Sequence, residues 1–262
     1  MPAEFGNIEA QLMLWLFAMI RPGAAVLAAP VFSAPAVPVQ LRLIIALGIG
    51  VPAASAAGIT LPPEGMASFA GLMAIIGEVV AGLALGFAVQ IGLAAAFLAG
   101  EVISNTMGLG FAAMSDPLGG QVSPAIGQFL SMLGTFLFLA VGGHLALAQI
   151  IVESYIALPP GNGWLSHDAI GGLVRFGGLV FAAGLSIALP VAFAMILVQI
   201  VMAMIARSTP TLNLFAVGLP ATLLAGIILL AIAAPAMADS LMSALEAGLD
   251  QARKLSGNFV PA

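Results

Sequence analysis

The chain has 262 residues, of which 62% are hydrophobic and only 6% are charged, with a formal net charge of −5. A soluble domain is about 25% charged, so this composition excludes an ordinary cytosolic enzyme, and its hydrophobicity excludes a disordered chain. The absence of cysteine excludes disulfides and thiolate metal sites, and six Lys and Arg residues form no basic patch for nucleic acid.

Six apolar segments follow one another, separated by turns rich in proline, glycine or polar residues. They run from about Ile8 to Val31, Leu41 to Leu61, Met66 to Gly100, Ala125 to Leu158, Ala169 to Ala206 and Leu214 to Ala238. A helix over the third segment would be about 52 Å long, whereas the hydrocarbon core of a bilayer is about 30 Å thick. We therefore predict an all-α polytopic membrane protein of about six helical segments, some of them over-long and kinked, with Pro190 as one expected kink.

The tail has a different pattern. Between Asp239 and Leu255, apolar residues recur at helical spacing, which predicts a C-terminal amphipathic helix. They are Leu241, Leu245, Leu249 and Ala252. Alternating the six segments places Arg42 and Arg207 on one side of the membrane, and the bias of basic residues makes that side cytoplasmic.

Among the charged residues within these segments, Arg21 and Glu78 lie far from the segment ends, where a charge is costly. Glu78 is the only carboxylate in the middle of a segment, and we expect it to make a polar contact between helices rather than to line an ion pathway. We expect Arg21, which precedes Pro22, to extend to the membrane surface or to face a partner. The sequence shows no metal-ligand cluster and no catalytic constellation, although the two charges leave an ion-coupled secondary transporter open.

Small residues favour close helix packing. Gly82 and Gly86 form a GxxxG motif, which lets two helix backbones approach closely in lipid. The motif alone leaves open whether that packing is intramolecular or between subunits.

The stretch from Met107 to Pro124 is the most informative. It contains four glycines and two prolines, so it cannot be one continuous helix, yet it also carries bulky apolar residues. Irregular backbone at membrane depth is tolerated only when it is buried in protein or lines a cavity. Because Met packs adaptably, the stretch is typical of a deformable seal, and an ordinary surface loop is the alternative.

Motifs spread over nearly the whole chain resemble those of the FliR family of flagellar export-gate proteins, whose sister family serves virulence-type secretion. They are Arg21-Pro22, Ala29–Phe32, Val37–Arg42, Gly86–Gln90, Gly100–Ile103, Gly108–Phe111, Asp116-Pro117 and Gly127–Leu130. The last two segments also resemble the small two-helix gate protein FliQ.

The resemblance implies a non-enzymatic, cofactor-free pore subunit of the flagellar type III secretion export gate, which passes unfolded flagellar proteins across the bacterial inner membrane. Residues 1–168 would form a FliP-like half containing a plug loop at about 107–122, and residues 169–262 a FliQ-like hairpin plus the amphipathic helix. The helices would be hairpins of a hetero-oligomeric helical assembly at the base of the flagellum, much of it on the periplasmic side. Implied partners are FliP, FliQ, FlhB, unfolded export substrates and membrane lipid. A virulence-type homologue and an ion-coupled secondary transporter are the alternatives.

The same resemblance assigns candidate site residues. The pore plug would consist of Met107, Gly108, Leu109, Gly110, Phe111, Met114, Asp116, Pro117 and Leu118. A cytoplasmic turn that contacts a partner would contain Arg207, Thr209, Pro210 and Asn213. Arg21 and Glu78 are the intramembrane polar candidates.

Overall fold

A computed structural model of the protein describes residues 2–110, 125–160, 163–164, 166–209, 214–257 and 260–261. The helices in these ranges are α1 (Pro2–Ala18), α2 (Ile20–Ala28), α3 (Val39–Ala57), α4 (Phe69–Thr106), α5 (Ala125–Ala140), α6 (Gly143–Ala157), α7 (His167–Phe176), α8 (Leu179–Ser208) and α9 (Leu214–Gly257). Two-residue strands, β1 (Gly163–Trp164) and β2 (Val260–Pro261), pair antiparallel. The predicted all-α class is confirmed.

Among the described residues, five helical stretches are long and apolar enough to cross a membrane. They are Ile8–Ala28, Val39–Ala57, Phe69–Thr106, His167–Ser208 and Val217–Gly257, and the bent pair α5–α6 raises the number to six if it is one span. Three of the five are 38 to 42 residues long. The expectation of about six apolar segments, some over-long, is therefore confirmed, and the chain is an integral membrane protein.

Two apolar segments are interrupted at positions that the sequence did not indicate. α5 and α6 meet at an angle of 65°, and Gly142 at that corner has a φ of 74°, which glycine adopts without strain. In the fifth apolar segment, α8 continues through Pro190, and the interruption lies earlier, at Gly177 and Gly178, between α7 and α8.

The tail continues the preceding helix. α9 runs 44 residues through Pro220 and Pro235, so the expected separate amphipathic helix is the last part of α9. The predicted apolar face is confirmed, because its four residues are each at most 7% exposed: Leu241, Leu245, Leu249 and Ala252.

The described residues of Met1–Ile91, Phe138–Gly177 and Glu246–Ala262 form one compact unit. In it, α3 packs against α1 and α2, and α6 packs against α2 and α3. Its core contains large apolar side chains that are at most 1% exposed: Phe17, Leu85, Phe138, Ile150, Ile151 and Tyr155.

The described residues of Gly92–Leu137 and Gly178–Leu245 form a second compact unit. Gly100 of α4 and Gly127 of α5 face each other so closely that a side chain on Gly100 would collide with the Gly127 backbone. One face of α8 is uncovered, as expected for a surface that contacts lipid or protein partners. Its apolar side chains are at least 50% exposed: Phe181, Leu185, Leu189, Phe193 and Leu197.

Candidate functional site

The GxxxG motif brings α4 against α2. A Cβ on Gly82 would collide with the Arg21 carbonyl, and a Cβ on Gly86 would collide with the carbonyl of Ala25 one turn later. Gly82 and Gly86 therefore serve packing within the chain, which resolves the alternative that the sequence left open. The contact also places Arg21 beside Glu78, one turn before Gly82.

Arg21 and Glu78 form a buried ion pair. The Arg21 Nε donates to Oε2 of Glu78 at 2.9 Å, and a terminal nitrogen donates to Oε1 at 2.7 Å. The residues are 0% and 2% exposed. This two-pronged geometry matches the planar guanidinium to the carboxylate and is among the strongest ionic hydrogen-bond arrangements in proteins.

The same guanidinium reaches α6 and the residue that follows it. Arg21 donates to the Ser154 hydroxyl at 3.0 Å and to the Leu158 carbonyl at 2.9 Å, while its centre lies 4.1 Å from the centroid of the Tyr155 ring. The Tyr155 hydroxyl donates to the Ala18 carbonyl at the end of α1, at 2.8 Å. Four helices, α1, α2, α4 and α6, are thereby joined at one point.

We call Arg21, Glu78, Ser154 and Tyr155 the buried polar cluster. The expectation that Glu78 makes a contact between helices is confirmed. The expectation that Arg21 extends to the membrane surface or faces a partner is wrong, because Glu78 supplies its counter-charge inside the chain. Ser154 and Tyr155 were missed, although a lone tyrosine in an apolar segment needs a hydrogen-bond partner and thus indicates a polar neighbour.

The end of α4 fixes where the predicted plug loop begins. Gly108 has a φ of 82°; its N–H donates to Asn105 and the Leu109 N–H donates to Ser104. These two bonds and the left-handed glycine form a Schellman motif, a common way to end a helix. Gly108, assigned above to the plug, thus terminates α4.

The next two carbonyls receive side-chain donors from other helices. The Gln199 amide of α8 donates to the Thr106 carbonyl at 2.6 Å, and the Thr222 hydroxyl of α9 lies 3.4 Å from the Met107 carbonyl. Met107 is 2% exposed and its side chain lies on Gly226 of α9.

The remaining plug candidates are placed as follows. Leu109 is half-buried and Gly110 is exposed, at the edge of the described chain. Five of the candidates lie outside the described residues: Phe111, Met114, Asp116, Pro117 and Leu118.

The predicted cytoplasmic turn is described in part. Arg207 is exposed in the last turn of α8, where a basic side chain complements the helix dipole. The exposed Thr209 follows the helix, and its N–H donates to the Ile205 carbonyl at 2.9 Å. Pro210 and Asn213 lie outside the described residues. Within the described ranges, no group of His, Asp and Glu residues could hold a metal ion.

Comparison with known proteins gives a consistent result. The profile of the family described as "Bacterial export proteins, family 1" matches residues 12–248. The chain is 33% identical to the flagellar biosynthetic protein FliR of Escherichia coli strain K12, over 87% of this chain and 86% of that protein. The chain belongs to the FliR family of bacterial export proteins. The FliR protein of Pectobacterium carotovorum is 35% identical over 84% of the chain and 83% of its own length, and that of Bacillus subtilis is 28% identical over 82% and 84%. The matched range contains all or part of each of the nine described helices.

Proposed function

We propose that this chain is a pore-forming subunit of the flagellar export gate in the bacterial inner membrane, through which unfolded flagellar proteins leave the cytoplasm. The observation that carries the proposal is its membership of the export family, since relatives named flagellar biosynthetic protein FliR align over most of both chains. We assign it no chemical step and no cofactor.

The proposed partners are the gate subunits FliP and FliQ, the export protein FlhB, the exported chains and lipid, at the base of the flagellum with much of the assembly on the periplasmic side. The uncovered apolar face of α8 and the over-long helices support a hetero-oligomer in which proteins cover part of the apolar surface. We keep the assignment of residues 1–168 as FliP-like and 169–262 as FliQ-like as part of this proposal.

The loop at 107–122 is proposed to plug the closed channel. A channel wide enough for an unfolded chain must hold back ions at rest, and bulky apolar groups can close it by excluding water. Support comes from the sharp end of α4 at Gly108, which directs the chain into this apolar, glycine-rich stretch from a fixed point.

The transporter alternative is disfavoured by the buried polar cluster. A coupled transporter needs charges that meet a solute or an ion, whereas Arg21 and Glu78 neutralise each other inside the packed helices. The relatives, named as flagellar proteins, favour the flagellar system over the virulence-type one.

The test of this proposal is an ion-leak measurement on the gate expressed with FliP and FliQ. We expect deletion of Gly110–Gly120, or the change of Phe111 and Met114 to alanine, to raise resting conductance while the subunits still co-purify. An assembled deletion gate with parental conductance would disprove the plug. Failure of the chain to co-purify with FliP and FliQ would disprove the gate.

A further inference from the structure

An open groove lies between α1 and the chain segment that follows α3, within the first compact unit. Its volume is about 600 Å³, inside the range of about 300–1,000 Å³ that is usual for ligand-binding clefts. The groove is lined by Ala10, Gln11, Leu14, Ile59, Thr60 and Leu61. We call it the α1 groove, and none of its lining residues belongs to the buried polar cluster or to the proposed plug.

The segment that forms one wall of this groove is fixed at both ends. Gly58 has a φ of 60° and its N–H donates to the Ala54 carbonyl, which ends α3. At the other end, the Gly65 N–H donates to the Pro62 carbonyl at 2.9 Å. Leu61 and Pro62 each precede a proline, and this position favours an extended backbone. The chain between these two turns is therefore a short extended piece that is held in place without a sheet.

The backbone of this piece is free to pair with another chain. The N–H and C=O groups of Thr60 and Leu61 make no hydrogen bond with any other residue that the structure describes. Ile59 is 6% exposed, Thr60 is exposed and Leu61 is half-buried, so exposure alternates along the piece as it does along a strand. An extended backbone with unpaired groups is a template to which a further strand can be added.

The chemistry of the groove fits a peptide and not a lipid. A lipid tail would leave the backbone groups of Thr60 and Leu61 unsatisfied, which costs free energy at hydrocarbon depth. Glu9 on α1 and Glu64 after the extended piece are both exposed, so each wall of the groove carries a carboxylate close by in the sequence. These charges oppose an anionic headgroup and favour a ligand that carries basic side chains.

From these observations we propose that the α1 groove binds an extended segment of an exported chain, rich in apolar and basic residues, by pairing with the backbone of Thr60 and Leu61. This inference rests on the proposed export function and names one contact for the chains in transit. Backbone pairing depends little on sequence, so one site can serve many unfolded chains. Two residues offer few hydrogen bonds, so the contact is weak and reversible, unlike the large interface of a permanent subunit. The orientation with Arg42 in the cytoplasm places the end of α3 on the exit side.

The test maps an arrested exported chain in the gate expressed with its partner subunits. The cargo is a flagellar export substrate fused to a domain too stable to unfold, so that it stops in the gate. A photoreactive amino acid replaces Gln11, in the groove, or Phe69, which is 78% exposed at the start of α4 and does not line it. We expect a severalfold higher yield of cargo adduct from the Gln11 probe. Equal yields, or adducts with resident subunits instead of cargo, overturn the inference.

Variants at Thr60 test the backbone contact with the Gln11 probe in place. Thr60→Pro and Thr60→Ala both remove the hydroxyl, but only proline also removes the N–H. One net hydrogen bond changes an equilibrium by about two- to tenfold, so Thr60→Pro should lower the adduct yield per complex by that factor relative to Thr60→Ala. The same yield from both variants overturns the inference.

If Thr60→Pro does not assemble, filling the groove gives the same decision with the probe at Thr60. Ala10→Trp places a large ring in the groove, whereas Leu12→Trp places it at a 50% exposed position of α1 outside the lining. Loss of the cargo adduct in Ala10→Trp alone supports the inference, and equal adducts in both overturn it.

The preference for basic segments is tested with a lysine-rich cargo. Glu9→Gln combined with Glu64→Gln should lower the adduct yield, while Glu153→Gln, at an exposed carboxylate on α6, should not. Equal yields overturn this preference. Arrested cargo that crosslinks elsewhere in the gate but not from the groove overturns this inference alone. A chain that does not co-purify with FliP and FliQ overturns the proposed function and this inference together.

Discussion

Arg21 and Glu78 lie 57 residues apart in the sequence and form a two-pronged ion pair with N–O distances of 2.7 and 2.9 Å, almost completely shielded from solvent. The geometry uses both carboxylate oxygens and leaves the arginine able to bond α6 as well. The pair therefore fixes the relative positions of α2, α4 and α6 more narrowly than apolar packing alone would.

The first prediction concerns this pair. Arg21→Met or Glu78→Leu leaves one buried charge without its partner, which typically costs about 3–5 kcal/mol. The double variant leaves neither charge, so we expect it to be more stable than the Arg21→Met variant. The measurement is the temperature at which half of the detergent-solubilised gate is lost in size-exclusion chromatography. Single variants as stable as the parent, or additive losses in the double variant, would contradict the prediction.

Two variants of Tyr155 distinguish the contribution of its hydroxyl hydrogen bond from that of its aromatic ring. Tyr155→Phe removes only the hydroxyl bond to the Ala18 carbonyl and should cost about 1 kcal/mol. Tyr155→Leu also removes the ring below Arg21 and should cost about 0.5–2 kcal/mol more. The same thermal assay ranks the variants, and equal losses would show that the ring contributes nothing beyond its volume.

The close contact between α2 and α4 predicts that a large side chain at Gly86 prevents normal packing. Gly86→Leu forces a side chain into the carbonyl of Ala25, so we expect α2 to be displaced, the Arg21–Glu78 pair to be broken and the yield of folded protein to fall severalfold. Phe87→Leu, at the exposed neighbouring position, is the matched control and should fold normally. Equal yields of the two variants would mean that the close approach is not required.

The left-handed backbone conformation of Gly108 predicts that a side chain at this position is destabilising. Alanine in the left-handed conformation costs about 1–2 kcal/mol, so Gly108→Ala should destabilise the end of α4 and raise the leak of the gate. Gly48→Ala, in α3, meets open space and no unusual φ, and should be neutral or slightly stabilising. A Gly108→Ala gate that matches Gly48→Ala in stability and leak would rule out the Schellman motif as a requirement.

The orientation is tested by labelling single cysteines, since the chain has none of its own. Thr209→Cys, beside Arg207, should react with a membrane-impermeant reagent only from the cytoplasmic side. Thr60→Cys, exposed after α3, should react only from the opposite side. The reverse pattern in intact cells and inverted vesicles would reverse the topology.

The sequence alone predicted the features of the fold that depend on the local pattern of apolar residues. The apolar lengths predicted the helical segments, and the spacing of Leu241, Leu245 and Leu249 predicted a buried face that the structure contains. The 65° bend at Gly142 was not foreseen, because glycine occurs both inside and between membrane helices.

The site was less accessible to prediction. Two opposite charges in separate apolar segments indicate a pair, but the sequence alone does not say that Arg21 and Glu78 are neighbours in space. The assignment of Gly108 to the plug overlooked its role in ending α4, since that role depends on a φ angle and on bonds to Ser104 and Asn105. The bond of Gln199 to the Thr106 carbonyl was not predicted, because the two residues are 93 positions apart in the sequence.

The sequence separation of the buried polar cluster has a consequence for biosynthesis. Ribosomes add about 5–20 residues per second, so Arg21 is synthesised about 3–11 s before Glu78 and, with 133 residues between them, about 7–27 s before Ser154. During that interval the arginine lacks the protein partners of its final position, and water, lipid headgroups or the insertion machinery must solvate it. The Arg21–Glu78 pair therefore forms only after α4 has been made, and the bond from Arg21 to Ser154 only after α6 has been made.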